Sequence, residues 1–237
     1  MAGDGATQVE HMSEEVKGES QDNTWGWLES TAHAADFCPT EDHAVVPHDT
    51  PMKEGYLLAA HCMIYALDDS VVFNLYCRRA AVLMHMRFDG YLGFPGGLVD
   101  TGEEIIPALN RELHEEMNLD LTRFQVKHED HVISHENAKN RVICHFYALC
   151  VSLAEFEEIE RAALASKEHG HEVLGHIRVP LYVMGDGYRG FPTFLDNNFC
   201  GNARSQLLTS LKQRNILPES IINAALAATK KYVPASS

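Results

Sequence analysis

Two periods govern the apolar residues of this chain. Over residues 57–66 and 80–86 they run almost unbroken for the length of a strand, with Asp68, Asp69 and a short apolar piece at 71–75 between them. Such runs suit strands covered on both faces. From about Ile106 to Met117 the spacing lengthens, and Leu109, Leu113 and Met117 recur at i, i+4 and i+8. That row is how a helix docks on a sheet. Pro107 fits the first turn, where its missing N–H costs nothing. Further strands are expected over 124–132, 141–151 and 172–180. Ser152 is placed to cap a helix reaching about Lys167, and two more helices are expected over 202–214 and from Pro218 to about Lys231. Phe88-Asp89-Gly90-Tyr91 reads as a turn and 185–192 as a glycine-rich loop. Strands alternating with helices after an early hairpin predict an α/β sandwich.

Composition changes this picture mainly at the N-terminus. Residues 1–53 are polar, acidic and aperiodic, apart from Trp25, Trp27 and Leu28, and are expected to form a largely disordered extension. Of the net charge of −15, residues 1–50 carry −10, from 11 Asp/Glu against one Lys. The remainder is only moderately acidic, which does not favour nonspecific nucleic-acid binding. The predicted organisation is the 1–53 extension, a domain over 54–232 and a tail over 233–237. Six cysteines contain no CxxC pair, so reduced, mostly buried thiols are expected rather than a zinc site. No apolar run reaches the roughly 18 residues of a membrane span, and no basic start precedes an apolar core as in a secretory signal.

The helix over 106–117 has a second face. Arg111, Glu112, Glu115 and Glu116 lie off its apolar row, and the three carboxylates stand within one turn of each other. Carboxylates so close repel each other unless a cation sits among them. A solvated acidic helix is the plain alternative, but it leaves Arg111 and the preceding loop Gly93-Phe94-Pro95-Gly96-Gly97 unexplained.

The full spacing Gly97, Glu103, Arg111, Glu112, Leu113, Glu115, Glu116, Leu119 resembles the Nudix box. Asn118 stands where that pattern has glycine, at the end of the helix, and Asn is the next-best residue for a left-handed position. Met86-Arg87-Phe88-Asp89-Gly90, Glu172-Val173-Leu174-Gly175 and Pro192-Thr193-Phe194-Leu195 are similar to the snoRNA-decapping, inosine diphosphate-cleaving branch of the family. The likeness covers about residues 55–215.

The resemblance implies a Nudix α/β/α sandwich with a mixed sheet, a homodimer, and hydrolysis of phosphoanhydrides in capped RNA or inosine and deoxyinosine diphosphates. It also implies a nuclear, nucleolar and cytoplasmic location. A hard divalent ion, Mg²⁺ or Mn²⁺, takes oxygen ligands, neutralises a pyrophosphate and activates water. Gly96 (through its carbonyl), Glu112, Glu115 and Glu116 are the implied metal positions, with His135 a further ligand and Glu115 and Glu116 the catalytic pair. Glu172 is a candidate ligand or base, and His61, Arg87, Phe94 and Gln206 fall on substrate-contacting positions. Glu103 and Arg111 are assigned a structural ion pair bracing the loop on the helix. Without the resemblance, His61 in its apolar run reads as a core histidine. His131 and His135, at i and i+4 in a strand-like segment, read as independent surface histidines rather than a zinc pair.

Overall fold

The computed structural model describes residues 43–229. The Trp25–Leu28 cluster, Cys38, Lys231 and the 233–237 tail lie outside them. The strands are β1 (Ala44–Val46), β2 (Leu57–Val72), β3 (Tyr76–Arg87), β4 (Leu92–Gly93), β5 (Gly96–Leu98), β6 (His131–Asn137), β7 (Val142–Cys150) and β8 (Val173–Arg178). The helices are α1 (Ile105–Met117), α2 (Leu153–Ala163), α3 (Phe191–Leu195), α4 (Ala203–Gln213) and α5 (Glu219–Thr229).

One mixed sheet runs β1-β6-β7-β2-β3-β4, with β5 pairing β2 and β8 pairing β3. β2 is its axis. It lies parallel to β7 from Leu57↔Val142 to Tyr65↔Cys150, and antiparallel to β3 from Tyr65↔Val82 outward. Toward its N-terminus β2 leaves β3 and takes β5 instead, Ala59↔Leu98 to His61↔Gly96. There β3 pairs β8 and β4. The two central strands part, and a cleft opens between them.

The two-residue period of β2 divides the core. Met63 and Tyr65 join Val82, Met84, Phe191, Leu207 and Leu211 on the side of α3, α4 and α5. Cys62, Ile64 and Ala66 join Leu109, Leu113, Met117, Phe156 and Ile159 on the side of α1 and α2. Helices therefore cover both faces of a mixed sheet, the expected α/β/α sandwich.

Several expectations need correction. The piece at 71–75 is the closed end of the β2–β3 hairpin: Phe73 and Asn74 both have positive φ (53° and 54°), and the Leu75 N–H bonds the Val72 carbonyl. That is a two-residue hairpin turn of the primed kind. The strand expected over 124–132 starts only at His131. Phe124 and Val126 are buried from a loop, because the Asn110 side chain bonds both the N–H and the carbonyl of Val126. Ser152 does cap α2 in a reciprocal box with Glu155, but α2 ends at Ala163 and not near Lys167. Residues 165 and 166 then bond back only three positions, tightening the chain into turns. Part of the expected extension is folded: β1 pairs β6, Ala44↔Glu136 to Val46↔Ser134. Three apolar residues show no period, and the pairing is carried by backbone bonds. The five described cysteines are free, but Cys77 and Cys150 are exposed and only Cys62 and Cys144 are buried. No helix among the described residues is long and apolar enough to cross a membrane.

Candidate active site

Helix α1 aims the carboxylates. Ala108, Leu109, Leu113 and Met117 bury its docking row, and Asn118 ends it in the left-handed region (φ 49°, ψ 38°), its N–H bonded to the Leu113 carbonyl. Glu112, Glu115 and Glu116 are thereby turned into a cavity of about 460 Å³. The cleft between β2 and β3 supplies the rest of the wall: His61 from β2, Arg87 from β3, Phe94 before β5, Gly96 and Gly97 on it, Glu172 beside β8 and Gln206 on α4. Of the expected metal, substrate and catalytic residues, only His135 is not brought to this cavity. It is 3% exposed on β6, with its ring 6.2 Å from that of His43.

Two glycines fix how closely β5 approaches. At Gly96 (φ +127°) a Cβ would lie 2.2 Å from the Ala60 carbonyl oxygen and 2.7 Å from the His61 Cα, so only glycine fits. Its N–H donates to Glu116 Oε2 at 2.7 Å. A Cβ on Gly97 would stand 2.8–3.1 Å from the carboxylate atoms of Glu112. Glu103 and Arg111 lie off the cavity wall, and the guanidinium bridges loop and helix. Arg111 Nη2 and Nε donate to Glu103 at 3.0 and 3.3 Å, and Nη1 donates to Glu112 at 2.7 Å.

The electrostatics are those of crowded acids. Burial pushes Glu116 up to about 8, and the charges of Glu112 and Glu172 add to it, against the Gly96 N–H. Burial also raises Glu112, although Arg111 pulls the other way. Burial lowers His61 to about 4, with a contribution from the Arg87 guanidinium, so its imidazole is neutral at pH 7. Arg87 is itself forked onto Asp89, Nη2 to Oδ2 at 2.9 Å. A site built of oxygen donors, holding a desolvated carboxylate among acidic neighbours and a cradle beside Gly97, fits a hard divalent cation.

Sequence reasoning missed several residues here. His85 is 2% exposed, with Nδ1 3.8 Å from Glu116 Oε2 and Nε2 2.9 Å from the Met117 sulfur. Burial, with the neighbouring His176, holds it well below the ordinary histidine range. In an apolar run it carries no local signal. His43, Asn137, Asn140 and Lys167 also line the cavity, and topology rather than any motif brings them there.

A family profile described as Nudt16-like, U8 snoRNA-decapping enzyme-like, matches residues 58–217. The chain is a Nudix hydrolase of that family. Among its relatives, the U8 snoRNA-decapping enzyme of Homalodisca vitripennis is 52% identical over 183 residues, covering 76% of this chain and 98% of that one. The mouse protein of the same name is 47% identical, covering 69% and 85%. The human Tudor-interacting repair regulator protein is 40% identical over 192 residues, covering 77% and 90%. As a Nudix hydrolase the chain is a phosphoanhydride-cleaving enzyme, and the matched range includes α1 with its clustered carboxylates.

Proposed function

We propose that this enzyme removes the cap of small nucleolar and other RNAs and cleaves inosine and deoxyinosine diphosphates to monophosphates, using Mg²⁺ or Mn²⁺. The observation that carries the reading is convergence. The box carboxylates of α1 and four chemically suited side chains from β2, β3, the β4–β5 link and α4 line one cavity. Glu112, Glu115, Glu116 and the Gly96 carbonyl would hold the ion, which when bound neutralises the pyrophosphate and lowers the pKa of an attacking water. Arg87, oriented by Asp89, offers a fork to phosphate oxygens. Phe94, packed 4.8 Å from Phe146 by ring centroids, offers an apolar wall to a purine. Gln206, 3% exposed, and neutral His61 offer hydrogen bonds to a base edge. Glu172, exposed at the rim, serves as a further ligand or as the base.

The names of the decapping relatives support the RNA reading and, with it, a nuclear and nucleolar location; the cytoplasmic location is implied by the resemblance alone, and imaging of the tagged full chain reads out all three. The homodimer implied by the resemblance has an apolar surface to cover at the end of the β2–β3 hairpin, where Leu67, Val71, Phe73 and Leu75 are exposed. A dimer mass in sedimentation that Phe73→Asp converts to monomer is the outcome this requires.

Incubation of the pure protein with Mg²⁺ or Mn²⁺ and either capped RNA or inosine diphosphate tests the reaction, and the ratio of kcat/KM values ranks the two substrates. Absence of turnover on both would sink the proposal. A second reading is a noncatalytic binding module for RNA or nucleotide built on the same fold. Tight RNA binding indifferent to metal and to Glu116→Gln, without turnover, would select it.

A further inference from the structure

We propose that His48, His131 and His145 form a binding site for a borderline divalent transition ion, Zn²⁺, at the β6–β7 end of the sheet face that α1 and α2 cover, apart from the hydrolytic cavity. Strand alternation separates the two sites. Cys144 faces the cavity, whereas its neighbour His145 points to the other side with Tyr147. On β6 the register shifts between His131 and Ile133, so that His131 pairs Tyr147, Ser134 pairs His145 and His135 pairs Cys144. This bulge corrects the expectation of independent surface histidines. It puts His131 and His135 on opposite faces, ruling out their pairing, and gathers His131 with His145 instead. The chain after β1 turns over the sheet edge and adds His48.

The ligand atoms of the three histidines lie within 4.8 Å of one another. The His48 ring centroid is 4.5 Å from that of His131 and 5.1 Å from that of His145. Neighbouring hydroxyls hold the rings: Ser134 Oγ lies 2.9 Å from His131 Nε2 and 2.8 Å from His145 Nδ1, and the Tyr147 hydroxyl 2.9 Å from His48 Nε2. Zn–N bonds of about 2.1 Å in a tetrahedron keep ligands roughly 3.4 Å apart. Modest rotation of the half-buried His48 and His131 rings closes the difference.

Imidazole donors select a different ion from the oxygen donors of α1, since Mg²⁺ and Mn²⁺ prefer carboxylates and Zn²⁺ accepts nitrogen. Three protein ligands leave one position for water. The consequence is mechanical. His48 belongs to the 43–53 strap, and the same strap carries His43 into the wall of the hydrolytic cavity. An ion here fastens the strap to β6 and β7.

The test uses the full chain in excess Mg²⁺, with Zn²⁺ measured by equilibrium dialysis and Co²⁺ as a visible probe of nitrogen ligation. The expected result is one tightly held Zn²⁺ and a tetrahedral Co²⁺ spectrum, both retained in Glu112→Gln/Glu115→Gln/Glu116→Gln. His48→Asn and His131→Asn, at half-buried positions that tolerate change better than buried His145, each weaken Zn²⁺ by at least about tenfold. Zn²⁺ slows proteolysis of the 43–53 strap in the parent and not in His48→Asn. Parent-like Zn²⁺ affinity in both histidine variants overturns the proposal, as does loss of the ion in the carboxylate variant.

Discussion

Replacing Glu116 by Gln separates what the site does from what it costs the fold. Glu116 is 8% exposed and is held up at about 8, first by burial and then by Glu112 and Glu172, whereas the unfolded chain ionises near 4.5. Between those two values the native protein keeps a proton that the unfolded chain has released. The unfolded state then binds fewer protons, so stability falls as pH rises through this window, and the full penalty is present above about pH 8. At about 1.4 kcal/mol per pH unit, the gap corresponds to a destabilisation on the order of 3–5 kcal/mol.

Glutamine keeps the shape and an acceptor for the Gly96 N–H but cannot ionise. Metal-free Glu116→Gln should therefore be more stable than its parent by a few kcal/mol at pH 9, with the difference vanishing near pH 4.5. Urea unfolding in EDTA across that range measures it. Added Mg²⁺ should recover stability in the parent, by RT ln(1 + [L]/Kd), and far less in the variant. Hydrolysis by the variant should fall by orders of magnitude. A variant less stable than the parent at pH 9, or a difference that ignores pH, would refute the electrostatic reasoning. Near-native turnover would remove Glu116 from the reaction.

Gly96→Ala should lose more than about 2 kcal/mol of stability in denaturant melts, because its Cβ meets the backbone of Ala60 and His61 at a strained φ. Gly97→Ala should stay folded by circular dichroism and raise the Mg²⁺ concentration for half-maximal activity, because its Cβ meets only the movable Glu112 carboxylate. Arg111→Lys cannot fork onto Glu103 while holding Glu112. Stability should change by less than about 1 kcal/mol, and kcat should fall at saturating Mg²⁺. Asn118→Ala should cost about 1–2 kcal/mol at the left-handed end of α1, read by urea unfolding, with KM unchanged.

The sequence made legible those parts of the molecule whose cause is local. The apolar row of α1, the Ser152 cap and the long runs of β2 and β3 are each written within a dozen residues, and each is present. β1 and β5 are three residues each, and their pairing comes from backbone groups that any side chain shares. Phe124 and Val126 alternate as a strand would, but the amide of Asn110, 16 residues earlier, takes the backbone bonds of Val126 that a neighbouring strand would have taken. The same divide runs through the site. Carboxylates at i, i+3 and i+4 of one helix can be found without a fold. His43, His85 and Asn137 reach the candidate site only through strand order, and the His48–His131–His145 cluster depends on a bulge that no period announces.

The parting of β2 and β3 explains why so short a strand as β5 matters. Gly96 sits against the backbone of β2 at Ala60 and His61, while its N–H holds Glu116; Gly97 leaves the space that the Glu112 carboxylate fills. The carboxylates of α1 and the His61 side of the cavity thus share a wall one extended strand thick. A displacement of β5 away from β2 moves the Glu116 hydrogen bond and the His61 position together. With the proposed roles of these residues, metal affinity and substrate contact should be mechanically coupled. Substitutions at residue 96 should change both in concert, whereas those at Gln206, borne on α4, should change substrate contact alone.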